Sequence, residues 1–422
     1  QLLDHASTGL DVVPALDAAA RQLFEGKQPR LGAQVLARLI SRLRRYGGPD
    51  SMGKILDATL MFLREGQGTL DDVREETAML EAGVLIAELL QDFRAQALLW
   101  LGLTDRLSPQ SGDVHAILTR LERAAETAKI ANESVLEFRI ASRRAEALIA
   151  VGDIEQAGAF SRKSMGIMKS EAPKDSHVCH VLGVRLRCLS LSGQLGEARK
   201  LHDTGKSFAK NVPVAKRNSY LSGIAFLAVL SGDPERAIPE MEEAVKELRS
   251  ANLFRMLLNP LHNLGDLSLR AGDYDRAIEV FDEARRLSTL YGNEDDLFIN
   301  TGFLGYTRAR MGDPEGGAEL LAVAREGLSQ SPAFHVSLQQ IRLLDAEVAH
   351  MLKQSARARR ELEEMLDDFH SSNEIALCQW AQDALARIEQ DLGHGFVQPI
   401  DPPQTPDANP DQETVRTAVA KR

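Results

Sequence analysis

A glycine-centred motif returns along this chain about every 40 residues, and no other feature restricts the fold as tightly. In order it reads AVGDIEQAG, LSGQLGEAR, LSGDPERAI, RAGDYDRAI and RMGDPEGGA, with glycines at Gly152, Gly193, Gly232, Gly272 and Gly312. Five residues after each stands a small residue: Ala157, Ala198, Ala237, Ala277 and Gly317. Seven residues before each stands another small or apolar one: Ala145, Leu186, Ala225, Gly265 and Gly305. A fixed period of roughly 20–50 residues marks a solenoid, in which each unit buries its apolar face against its neighbours. The length of 422 residues would otherwise suggest two or three domains, but a solenoid lengthens along one axis without a second core.

The unit from Leu258 to Leu297 is the clearest. Leu257, Leu261, Leu264, Leu267 and Leu269 recur at helical spacing. Gly272 then ends this helix by accepting a positive φ, and Asp273 caps the next. That second helix carries Ala277, Ile278, Phe281, Ala284 and Leu287 on one face, and the following pair begins after Asp295. Asp233-Pro234-Glu235 and Asp313-Pro314-Glu315 repeat the punctuation: a cap acceptor, a pre-set φ and an acid for the first-turn dipole. Gly265, Ala277 and Ala284 mark close approaches between helices, where a larger side chain would cost roughly 1–3 kcal/mol.

Leu264-Gly265, the Gly272-Asp273-Tyr274 turn, Ala277, Phe281 and Ala284 resemble the tetratricopeptide repeat pattern. The longer period is similar to that of kinesin light chains and of bacterial multidomain signalling regulators. The resemblance runs from about Phe138 to Leu328 and continues more faintly over Leu338–Phe369, where Lys353 replaces the glycine. It implies an all-α solenoid of about nine or ten antiparallel helix pairs in a right-handed superhelix. A degenerate pair is expected over Phe93–Ile130, since Gly112-Asp113 falls one period before Gly152-Asp153. Residues 1–92 read as helical hairpins broken near Gly26, Gly47-Gly48-Pro49 and Gly66–Gly68. The repeats then occupy 93–370, a capping helix 371–392 and a disordered Pro/Asp-rich tail 393–422.

Composition narrows the function. Ala, Leu, Arg and Glu dominate and only 5% of residues are aromatic, which suits helices. A formal charge of −11 disfavours nucleic-acid binding. The strongest apolar run, Gln96–Leu103, is far too short for a membrane span. Three cysteines, Cys179, Cys188 and Cys378, read as reduced thiols in a cytoplasmic protein. The chain starts at Gln1 without a signal-peptide pattern and is expected to be part of a longer polypeptide.

Two motifs imitate chemistry. DTGKS (Asp203–Ser207) ends like a phosphate-binding loop, but Lys200 stands where the first glycine belongs and the segment lies in a repeat helix. HVCH (His177–His180) offers two histidines at i, i+3, with no second pair to complete a metal site. No nucleophile–base constellation accompanies them, so neither catalysis, a metal nor a cofactor is expected.

The resemblance places function on the concave surface lined by the first helix of each pair. The residues it implies there are Asn259, His262, Asn263 and Asp266, then Ile299, Gly302 and Tyr306. Earlier pairs supply Ser219, Ser222 and Phe226, then His180 and Arg187, then Arg139, Ser142, Arg143 and Glu146. Asn263, just before Leu264-Gly265, could both donate to and accept from a ligand backbone, or could bond a neighbouring helix. Arg139 and Arg143, one turn apart, could hold a carboxylate or simply lie solvated. The expected role is recognition of a protein or peptide partner, as a peptide or helix in the groove, within a signalling or regulatory protein. A small-molecule sensor ringed by Phe226, His262 and Tyr306 is the alternative; self-assembly is another.

Overall fold

The computed structural model describes residues 12–26, 28–66, 73–106, 114–171, 177–330, 335–371 and 375–392. Among them are nineteen α-helices and no strand. The first four are α1 (Val13–Glu25), α2 (Pro29–Tyr46), α3 (Met52–Met61) and α4 (Val73–Leu89). Next come α5 (Phe93–Arg106), α6 (Val114–Ile130), α7 (Ser134–Ala150), α8 (Ile154–Glu171), α9 (Val178–Leu191) and α10 (Leu195–Ala209). Then follow α11 (Asn218–Leu230), α12 (Ile238–Ser250), α13 (Leu258–Arg270), α14 (Tyr274–Tyr291) and α15 (Glu294–Arg310). The last are α16 (Pro314–Ser329), α17 (His335–Met351), α18 (Ser355–Ser371) and α19 (Ile375–Asp391). The fold is an all-α helical solenoid. Gln67-Gly68, the Gly112-Asp113 pair and the tail 393–422 lie outside the described residues.

The motif glycines end the first helix of their pairs. Gly272 has φ +83° and Gly312 φ +99°, values that clash with a Cβ. Lys353 takes the same place after α17 with φ +61°. A second punctuation separates one pair from the next: Gln91, Asn132 and Asn252 hold φ near +55°, and Gly292 does the same at +65°. Asparagine tolerates this region better than most residues.

Close approach accounts for the small positions. A Cβ on Gly305 would sit 2.7 Å from the Gly317 carbonyl oxygen, and one on Gly317 only 2.5 Å from that of Gly305. At Gly265 a Cβ would meet the Phe281 ring at 2.5 Å. Ala145, Ala157, Ala198, Ala277 and Ala284 are fully buried. Asp273 and Asp313 cap α14 and α16 through Arg276 N and Gly316 N. Asp233 departs from this pattern: it makes no cap bond and opens a 3-10 turn over Pro234–Arg236 before α12. Pro239 lacks the N–H that an α-helix starting at Pro234 would need at that point, so the first turn tightens. Likewise α15 starts at Glu294, two residues earlier than the sequence reading, with Asn293 as its cap.

From α5 onward each odd-numbered helix touches the next odd-numbered one, and together they form the inner wall. The even-numbered helices back them; α14, for instance, packs on α13 and α15. The wall also meets itself. α17 touches α7, and α19 touches α9, so the six helices α7, α9, α11, α13, α15 and α17 close a ring. Val336 at the start of α17 belongs to one apolar cluster with Ile149 of α7, Ile154 of α8 and Val184 and Cys188 of α9.

Candidate functional site

Ring closure turns the expected groove into a lumen with two chambers. The first, about 510 Å³, is lined by all six ring helices, including Arg143 and Glu146 of α7, Arg187 of α9 and Gln340 of α17. The second, about 700 Å³, lies towards the helix C-termini and is bounded by α9, α11, α13, α15, α17 and α19. Val229 and Leu230 of α11 line both and form the partition.

Most of the residues singled out in the sequence line the first chamber, among them Asn259, His262, Asn263, Asp266, Phe226, Arg187 and Arg143. Tyr306 faces the second chamber instead, so Phe226, His262 and Tyr306 do not ring one pocket. Arg139 is half-buried on α7 and lines neither chamber. Gly302 faces the neighbouring pair rather than the lumen, since a Cβ there would meet Ile341 of α17 at 2.4 Å. Ser142 is fully buried.

The chamber's amides form an oriented set. Asn263 Nδ2 donates to Asn259 Oδ1 at 2.9 Å, and Ser222 Oγ donates to the same oxygen at 2.7 Å. Asn263 therefore bonds within its own helix, not to a neighbour. Asn259 Nδ2 and Asn263 Oδ1 have no hydrogen-bond partner among the described residues. The buried Oδ1 of Asn218, also on the chamber wall, has none there either. His262 Nδ1 lies 3.1 Å from Asn300 Oδ1, with the ring edge-on to Phe303 at 5.0 Å. Burial holds its imidazole below the ordinary histidine range.

Charges are distributed unevenly. Arg143 Nη1 donates to Glu146 Oε2 at 2.5 Å, and His180 Nε2 lies 3.8 Å from the same oxygen. Burial alone would raise the Glu146 carboxyl, but Arg143, His180 and Arg187 outweigh it and hold it at about 2. Asp266 is matched by Arg270 at 2.8 Å. Among the described residues Arg187 has no carboxylate within ion-pair distance; its guanidinium lies 5.4 Å over the Phe226 ring, and its Nε is buried without an acceptor. Asp296 lines the chamber with no described cation beside it, and burial, with Asp295 next to it, pushes its carboxyl up to about 6.

Sequence reasoning missed α17's share of the wall, Val336, Ser337 and Gln340. No local period signals it, because these residues arrive from across the ring. It also missed Asp296, one residue beyond the acid taken as the end of the preceding loop. The two imitation motifs are structural. Gly205 of DTGKS lies within α10, where a Cβ would stand 3.2 Å from Leu182 Cδ1, and Lys206 pairs with Glu240. Cys179 and Cys188 are buried, and burial pushes the Cys179 thiol up to about 11. Among the described residues no group of three or more His, Cys, Asp or Glu side chains could hold a metal ion, and no helix is long and apolar enough to cross a membrane.

No known protein family matches the chain by sequence, and no curated protein is detectably similar to it. Solved structures do match. A Rap protein complexed with competence and sporulation factor superposes with a TM-score of 0.53 at 13% identity, over 82% of this chain and 99% of that one. The apo form of RapI gives 0.46 at 12% identity, over 82% and 99%. A signal transduction ATPase with numerous domains from Pyrococcus horikoshii, which carries a tetratricopeptide repeat sensor, gives 0.41 at 13% identity, over 93% of this chain and 51% of that one. At such identities the first of these likenesses is one of fold: a helical-repeat solenoid.

Proposed function

We propose that this solenoid, of the long-period tetratricopeptide repeat type, is the recognition segment of a cytoplasmic signalling or regulatory protein, and that its first chamber binds an extended peptide segment. The carrying observation is the pair Asn259 and Asn263, whose outward donor and acceptor lie four residues apart on α13. Four residues of helix rise about 6 Å, close to the two-residue repeat of an extended strand, roughly 6.6 Å. One amide can thus donate to a ligand carbonyl while the next accepts from an N–H two residues along. Arg187, whose Nε is buried without an acceptor, and Asp296, without a cation beside it among the described residues, offer sites for charged groups of the ligand. That a Rap protein of the same fold is complexed with competence and sporulation factor agrees with a ligand-binding lumen.

The test is a peptide array probed with the native chain and with Asn263→Ala and Asn259→Ala. Peptides retained by the native chain should bind each variant about tenfold more weakly, the loss of one or two hydrogen bonds in a desolvated site. Retention indifferent to both changes would sink the reading. The chamber's volume also suits a small molecule, so an array with no hits would favour the sensor alternative.

A further inference from the structure

We propose that the second chamber is a separate ligand site, which takes an apolar or aromatic body carrying a carboxylate or phosphate. The inference stands on the second chamber's own residues and not on the reading of the first.

Two guanidiniums in this chamber keep most of their donors. Arg310 has five N–H groups and, among the described residues, uses one, from Nη1 to Tyr306 Oη at 3.1 Å. It has no described carboxylate within ion-pair distance, and lies 5.5 Å from the Tyr274 ring centre and 5.8 Å from that of Tyr306. Arg270 uses its Nε on Asp266 at 2.8 Å, stacks 4.2 Å over Trp380, and leaves Nη2 buried with no acceptor among the described residues. A buried donor without an acceptor costs free energy that a bound anion would recover.

The carboxylate at the centre cannot fill that role. Glu347 already accepts from Tyr306 Oη at 2.6 Å, Trp380 Nε1 at 3.3 Å and Arg387 Nη2 at 3.0 Å. Glu347 is thus occupied, while among the described residues Arg310 has no carboxylate at ion-pair distance and Arg270 Nη2 is buried without an acceptor, and an incoming anion matches those donors. Leu230, Leu269, Leu344 and Ile375 line part of the wall between the rings, which suits the ligand's body, beside the polar Ser190, Gln379 and Asp383. A volume of about 700 Å³ lies within the range of small-ligand sites, roughly 300–1,000 Å³.

Two anions, phenyl phosphate and 3-phenylpropionate, serve as probes, with 3-phenylpropanamide as the uncharged control. Trp380 reports directly once Trp100, the other of the chain's two tryptophans, is replaced by Trp100→Phe. Saturation-transfer NMR on the unmodified chain is the second measurement. The proposal expects saturable binding of at least one anion and little of the amide, with the tighter probe naming the head group. Arg310→Gln and Arg270→Gln, each checked for helix content by circular dichroism, should weaken binding about tenfold. Asn263→Ala, in the first chamber, should leave it unchanged. No saturable signal by either method overturns the proposal, as does equal binding of the amide or unaltered affinity in both folded guanidinium variants. Loss of binding with Asn263→Ala would place the probes in the first chamber and also overturn it.

Discussion

Lys353 does with a side chain what glycine does at the corresponding turns. Its φ of +61° places its Cβ against the carbonyl, at a cost of about 1–2 kcal/mol. Lys353→Gly should therefore stabilise the chain by about 1 kcal/mol, read as a higher urea midpoint, while Gly312→Ala, at φ +99°, should destabilise it by about 1–3 kcal/mol. An unchanged midpoint in both would mean that these turns relax freely. Asp296 is the matching electrostatic case. Its folded pKa of about 6 lies above the unfolded value near 3.9, so the folded state holds the proton more readily. The ionised carboxylate thus costs stability above about pH 6, and the cost fades as pH falls towards 4. Partial exposure and the α15 N-terminus reduce it to about 1 kcal/mol. Asp296→Asn should recover about that much at neutral pH and flatten the stability profile between pH 4 and 6. A profile of unchanged slope would show that Asp296 ionises normally. The lumen-facing asparagines were legible because repeat register fixes which helix face turns inward. The charge of Asp296, unmatched by a cation among the described residues, was not, since no local pattern says which carboxylates lack a cation.

Helix pairs were legible to the extent that their punctuation is chemical. Gly-Asp turns located the ends of α7, α11, α13 and α15. The turns between pairs were harder, because Gln91, Asn132 and Asn252 adopt a left-handed conformation that their residue types permit but do not demand. The role of α19 was legible only as a terminal cap. In the structure it reaches into the lumen: Ile375 stands at Gly193, Trp380 on Arg270, and Arg387 on Glu347. Glu347 of α17 is the common acceptor, so its removal should loosen α19 before any other helix. Glu347→Ala is expected to cost about 2–3 kcal/mol, the loss of hydrogen bonds to a charged acceptor and the stranding of their donors. Hydrogen exchange by mass spectrometry should show faster exchange across Ile375–Asp391, with α13 and α15 little changed. Uniform acceleration throughout would mean that α19 has no separable docking.

Closure is the property of the whole molecule that the repeat pattern could not supply. A repeat specifies contacts between neighbours, and small rotations per repeat add up to the curvature. Whether α17 returns to α7 depends on that sum, which no single unit encodes. The consequence is energetic as well as geometric, because α7 and α17 support each other at the seam although they lie far apart in sequence. Val336, 6% exposed and clustered with Ile149, Ile154 and Val184, sits at the seam. Val336→Glu would bury a carboxylate there with no cation supplied to match it, and opening the seam is less costly than keeping that charge dry. The helices themselves rest on neighbour contacts and should persist. Small-angle scattering should therefore report a larger radius of gyration for Val336→Glu at unchanged helix content, and affinity for any first-chamber ligand should fall, because Val336 and Gln340 would leave the wall together. An unaltered scattering profile from the folded variant would show that the ring is held elsewhere, with the α19 contact to α9 as the remaining closure.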